Sequence, residues 1–148
     1  MPSRLIGAAL LSAAAALAIA AQAADAGKPA QLSPPVIRED FTLLPCPKHP
    51  RTTLEQEGCA EHAIVRTDRR IDRVAKTIFR RLRDDAARRR FIDAQAAWLA
   101  YRRADCASVS DKYEGGTLAG LVAANCTAER SAQHLKGVRA FDRLLRTP

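Results

Sequence analysis

Apolar residues recur along this chain at helical spacing, and nowhere at the alternate spacing of a half-buried strand. Between residues 59 and 114 there is neither Gly nor Pro, and the stretch is rich in Ala, Arg and Leu, which are strong helix formers. Ile64, Ile71, Ala75, Ile78 and Leu82 fall on one helical face, and Phe91, Ala94 or Gln95, Trp98 and Tyr101 form a second stripe. A single helix over residues 59–114 would be about 84 Å long, too long for a small globule. Steps of about 100° from Leu82 place Phe91 on the opposite side of a continuous helix. The spacing therefore predicts a break near residues 84–87, with Asp84 or Asp85 capping a second helix over about 86–111.

Thr52 or Thr53, each followed three residues later by Glu55 or Gln56, supplies a capping-box start for the first helix. Gly115-Gly116 ends the second helix, and Thr117 is placed to cap a third. In that third helix Leu118, Leu121 or Val122, Ala128, Ala132, Leu135, Val138 and Leu145 keep the stripe, and Gly137 weakens it locally. Upstream, prolines at 29, 34, 35, 45, 47 and 50 block helix interiors and central strands. The expected fold is all-α: three antiparallel helices, with a flexible Pro-rich arm over residues 24–45 laid across a helical domain of residues 46–148.

The first residues read as an address. Arg4 precedes an apolar run from Leu5 to Ala20, interrupted by Ser12, and Ala21-Gln22-Ala23 fits a signal-peptidase site. Residues 1–23 are thus expected to be a cleaved signal peptide; the run falls short of the roughly 20 residues that span a bilayer. Ala24, not Cys, follows the cut, so no lipid anchor is expected. The product would be periplasmic or secreted, with no transmembrane segment after cleavage.

Export changes the reading of the four cysteines, Cys46, Cys59, Cys106 and Cys126, because thiols that leave the cytoplasm meet oxidising conditions. Four cysteines allow three pairings. Cys46-Pro-Lys-His49 has ligand-like spacing, with His62 and His134 as possible companions, but no second Cys-x-x-Cys or His-x-x-x-His supports a zinc site. No metal, haem or other cofactor is expected.

With 24 Lys plus Arg against 16 Asp plus Glu the formal charge is +8, or about +7 once Arg4 leaves with the signal peptide. Four Phe, two Tyr and one Trp leave little for an aromatic-lined cofactor pocket or a β-sandwich core. No nucleophile elbow, zinc-protease helix, phosphate loop or dinucleotide fingerprint is present, so no enzyme is expected. Arginines cluster at 69 and 70, at 80, 81 and 83, at 88–90, and at 102 and 103. Most lie off the apolar stripe, as a solvated helix face would; export removes nucleic acid as an expected target and leaves anionic envelope components.

Cys46 and Cys59, Asp68 with Ile71-Asp72, the run Ala94-Gln95-x-x-Trp98-x-x-Tyr101-Arg102-x-x-x-Cys106, then Gly115-Gly116-Thr117 and Cys126 form one pattern. It resembles the N-terminal domain family of the LprI-type lysozyme inhibitors, small exported bacterial helical domains with four cysteines, from Cys46 to about Arg146. The resemblance implies a protein that binds and occludes a lysozyme or a related envelope partner. The namesake is a lipoprotein, and this chain lacks the lipidation cysteine. The alternative is a basic envelope-binding or structural protein with no lysozyme target.

Two expectations follow from register. With a turn near residue 115, Cys106 lies opposite Cys126, and Cys59 is about 9 Å out of register with Cys106, leaving Cys46 to pair with Cys59. Asp68 and Arg102 lie opposite one another across the first turn, where a carboxylate and a guanidinium can neutralise each other. Trp98 is read as a core anchor. If lysozyme is the target, the expected contact is the loop from Ser108 to Thr117, with Ser110, Asp111, Lys112 and Tyr113 at a tip stapled by the second disulfide.

Overall fold

The computed structural model describes residues 31–147. The expected signal peptide and residues 24–30 of the arm lie outside the described residues. Three helices account for the regular structure: α1 (Thr53–Arg81), α2 (Asp85–Asp111) and α3 (Leu118–Leu144), with no strand among the described residues.

Each boundary has a local cause. Thr52 has extended backbone, its hydroxyl accepts from the Glu55 amide, and the Glu55 carboxylate accepts in return from the amides of Thr52 (3.0 Å) and Arg51 (2.7 Å). These reciprocal bonds satisfy amides that a helix start otherwise leaves without partners. They also hold the Glu55 carboxyl below its ordinary range. At the other end Leu82 turns extended, and the Asp84 carboxylate caps α2 by accepting from the Ala87 amide at 2.7 Å. Past Asp111 the chain leaves through overlapping turns, and Gly115 adopts a left-handed φ of 78° that favours glycine. Thr117 does not cap α3 as expected. Its backbone is already helical (φ −65°, ψ −12°), so the hydroxyl is misplaced for the first amides, and the Ala119 amide bonds the Gly116 carbonyl instead at 3.2 Å.

α1 and α3 pack along their length: Glu57 lies against Gly120, Ile64 against Ala124, and Arg81 against Asp142. Across α2 and α3 the pairs run the other way, from Phe91 with Phe141 through Gln95 with His134 to Cys106 with Cys126. The α1 and α2 backbones approach each other least, although side chains meet across the gap, Asp68 with Arg102 and Phe79 with Arg88. Residues before Cys46 bridge them. Leu32 and Ile37 pack against the main core of Ile71, Ala75, Ile78, Phe79, Phe91, Leu135 and Val138, while Phe41 joins Ala60, Ile64 and Ala124. The Ile37 amide donates to Asp72 Oδ1 at 3.0 Å and the Leu44 amide to Glu61 Oε2 at 2.8 Å. The Cys46–Cys59 disulfide then ties this segment to the first turns of α1, with Cα atoms 4.6 Å apart.

The stripes need three corrections. Tyr101 is 55% exposed and Arg102, its neighbour, is buried. Ala132 is likewise exposed, while Ser131 takes the inside position. One residue is about 100° of helix rotation, and an ionic contact described below draws both helices round by that step. Leu118 is exposed because it starts α3 at the tip. Of Ala94 and Gln95, the half-buried one is Gln95.

Two glycines inside helices give opposite tests. A Cβ on Gly58 would sit 2.9 Å from the Leu44 carbonyl group and closer still to the Pro45 oxygen, whereas one on Gly137 meets open space. Gly58→Ala should therefore destabilise by about 1–3 kcal/mol as the backbone beside Cys46 is pushed away. Gly137→Ala should stabilise by about 0.5–1 kcal/mol. Urea unfolding of both variants checks the pair, and a stabilised Gly58→Ala would show that the segment does not lie on α1.

Candidate functional site

The centre of the molecule is polar. Arg102, on the inward face of α2, has a side chain only 1% exposed. Its Nη1 donates to both Asp68 oxygens of α1, at 3.2 and 3.1 Å, and to the Ser131 hydroxyl of α3 at 2.7 Å. Its Nη2 donates to the Glu39 carboxylate of the N-terminal segment. Asp68 and Arg102 thus meet as the register predicts, but one nitrogen serves both Asp68 oxygens while the other arm of the fork goes to a second acid. Nothing in the sequence pattern pointed to Glu39, which lies among prolines without periodicity. Next to this contact, Arg103 donates to the Arg38 carbonyl at 3.1 Å and pairs with Asp40.

Trp98 lies one turn before Arg102, half-buried, with the guanidinium carbon 5.0 Å from its ring centroid. The His134 ring stacks on it at 3.7 Å, nearly parallel at 6°, and His134 Nε2 lies 2.9 Å from Gln95 Oε1. Burial, reinforced by the Arg102 charge, pushes His134 down to about 4. Burial also pushes the Asp68 carboxyl up to about 6, helped by the neighbouring Glu39 carboxyl and opposed by Arg102. Gln95, Trp98, Arg102 and Cys106 share one face of α2, and all four are spent on internal contacts.

The exposed chemistry is at the tip. Cys106–Cys126 joins α2 to α3 with Cα atoms 5.5 Å apart, and Arg130 bonds Asp105 beside it at 2.7 Å. Ser108, Ser110 and Asp111 belong to the last turns of α2, so the connection proper is Lys112–Thr117, shorter than the expected loop. The Ser110 hydroxyl donates to the Ala107 carbonyl at 2.8 Å, and the Tyr113 amide to the Ser110 carbonyl at 2.8 Å. Asp111 and Lys112 are exposed, Ser110 and Tyr113 half-buried, and the Lys112 ammonium lies 5.8 Å from the Tyr113 ring. Val109 and Leu118 add exposed apolar surface to the same tip. Helical spacing concealed Leu118, because the periodicity of α3 continues past the point where neighbouring helices cover it.

Asp105, Cys106 and Cys126 bring ligand-type atoms within 4.8 Å of one another. Both sulfurs are bonded to each other, which removes them as metal ligands. Charge is divided along the molecule. The tip end mixes Lys112 and Arg130 with Asp111, Glu114 and Glu129, whereas the outward side of α1 beyond Ile64 is arginine-rich.

A family model described as lysozyme inhibitor LprI matches residues 46–136, a span that contains both disulfides, Asp68, Trp98, Arg102, Ser131 and the tip. No curated protein and no solved structure matches the chain. No helix among the described residues is long and apolar enough to cross a membrane.

Replacing Arg102 with Met should leave Asp68 and Glu39 buried without a cation and cost about 3–5 kcal/mol; a loss below about 1 kcal/mol in urea unfolding would show that the contact holds nothing together. The two shifted groups respond to acid in opposite senses. Asp68, raised when folded, contributes stability at low pH that is lost as pH rises through about 6. His134, lowered when folded, contributes stability above its ordinary value of 6.5 that is lost as pH falls towards about 4. Between about pH 6.5 and 4 the two trends oppose, so His134→Gln should become more stable on acidification relative to the parent, and Asp68→Asn less stable. Thermal melts across that range check both signs.

Proposed function

The chain belongs to the LprI lysozyme-inhibitor family, and from that membership we propose that it is an exported binding protein that occludes a lysozyme with the tip of the α2–α3 hairpin. The family supplies the target, and the reading places the protein in the periplasm or the medium. The observation that supports the tip as the contacting element is its rigidity. A disulfide, a partly exposed ion pair between Asp105 and Arg130 and overlapping turns hold Ser110 to Tyr113 in place before any partner arrives. A preorganised tip loses little conformational freedom on binding. The signature face of α2 is unavailable for the purpose, because Trp98 and Arg102 are engaged inside.

The tip chemistry suits a cleft with two carboxylates, the arrangement that performs glycoside hydrolysis. Lys112 supplies an exposed ammonium and Tyr113 a phenolic hydroxyl, while Val109 and Leu118 offer apolar contact around them. The division of charge also matters. Lysozymes of the common animal type are basic, and a uniformly basic inhibitor would be repelled on approach. Here the tip end carries mixed charge, and the uncompensated arginines lie away from it.

Lys112→Ala combined with Tyr113→Ala should abolish inhibition of a basic lysozyme at micromolar protein, with thermal stability unchanged. Inhibition by the parent should strengthen as added salt screens the residual repulsion. A double variant that still inhibits removes the tip as the contact, and a parent protein inert across salt concentrations removes lysozyme as the target.

A further inference from the structure

The outward face of α1 beyond Ile64 presents Arg66, Arg69, Arg70, Arg73, Lys76 and Arg80, all exposed. The two acids in that stretch, Asp68 and Asp72, both turn inward, one to Arg102 and the other to the Ile37 amide. None of the six cations has an ion-pair partner among the described residues. α3 continues the surface with Lys136, Arg139, Arg143 and Arg146, also exposed. The single acid between Lys136 and Arg146, Asp142, is already held between Arg81 and Arg146. Between the helices runs a shallow groove of about 250 Å³, lined by Arg70, Arg73, Thr77, Arg139 and Arg146 over a floor of Val74, with the already paired Asp142 as its one acid.

This composition works against the helix that carries it. Arg66 with Arg70, Arg69 with Arg73, and Lys76 with Arg80 are like charges four residues apart, an arrangement that destabilises a helix where a glutamate would stabilise it. A helix face needing only solubility would mix the two signs, as α2 does with Asp85 and Arg88. The missing negative charge must come from outside. Arginine forks that outnumber the acids beside them, as here where Asp142 is the one carboxylate in the groove, can match phosphate oxygens bidentately.

We propose that the α1–α3 face docks the protein on an anionic phospholipid surface, with lipid phosphates seated along the groove between Arg70, Arg73 and Arg139. A headgroup layer answers the breadth of the face, which extends along α1 and across onto α3 and exceeds what one small anion can neutralise. The face lies away from the hairpin tip, so both can be occupied at once.

The test is co-sedimentation of the full chain, purified from its exported fraction, with vesicles of phosphatidylcholine alone and of phosphatidylcholine mixed with phosphatidylglycerol. Binding is expected only to the mixed vesicles. Arg70→Gln with Arg73→Gln and Arg139→Gln should weaken it on the order of a hundredfold, from roughly fivefold for each basic residue at an anionic surface. Lys48→Gln with Arg51→Gln and Lys112→Gln removes the same charge elsewhere and should weaken it far less. Thermal melts establish that both triple variants fold. Equal loss in the two variants, no binding to mixed vesicles, or binding only to soluble polyphosphate would each overturn the proposal.

Discussion

One guanidinium joins all three helices and the segment before them. Arg102 projects from α2 and is met by Asp68 of α1, Ser131 of α3 and Glu39 of the N-terminal segment. A cation removed from water is tolerable only if its charge and its donors are answered, and the answers come from elements far apart in sequence. Its Nε alone is left without a partner. The elements cannot slide past one another without breaking this contact, so it sets helix register in a way that interchangeable aliphatic side chains would not. The apolar core supplies most of the driving force for collapse, and the ionic centre selects which collapsed arrangement is kept.

The residues that make the family recognisable are therefore mostly scaffold. Gln95, Trp98, Arg102 and Cys106 recur on one face of α2 because each closes an internal contact: with His134, with the His134 ring and the Arg102 cation, with Asp68, and with Cys126. The same motif can then persist in proteins whose partners differ, with binding character residing in the short connection after Asp111 and on outward helix faces.

Local signals were readable directly from the residues. The Thr52 and Asp84 caps, the break between α1 and α2, the disulfide pairing and the Asp68–Arg102 encounter depend on short-range spacing or on simple reflection about a turn. What stayed hidden depended on the third dimension. The reflection placed Arg102 near Asp68, but hydrophobicity favoured Tyr101 for the interior, and only the presence of Asp68, Glu39 and Ser131 together makes burial of the arginine affordable. Thr117 looked like a cap by residue type, yet the left-handed turn at Gly115 delivers it already helical. Glu39 carried no signal, because a segment without periodicity shows nothing of which side chain it turns inward.

The bridging segment also separates two meanings of a domain. The recognisable unit opens at Cys46 and closes at residue 136, whereas the physical unit reaches back to Leu32 and Ile37 and forward to Phe141 and Asp142. A fragment trimmed to the recognisable unit would keep both disulfides and still lose Glu39, the apolar plug between α1 and α2, and the last turns of α3 beneath Phe91. Gene fusions and shuffled modules that join at Cys46 would thus inherit a stapled but open shell, and any natural relative that begins there must close the same gap with residues supplied by its neighbour in the chain.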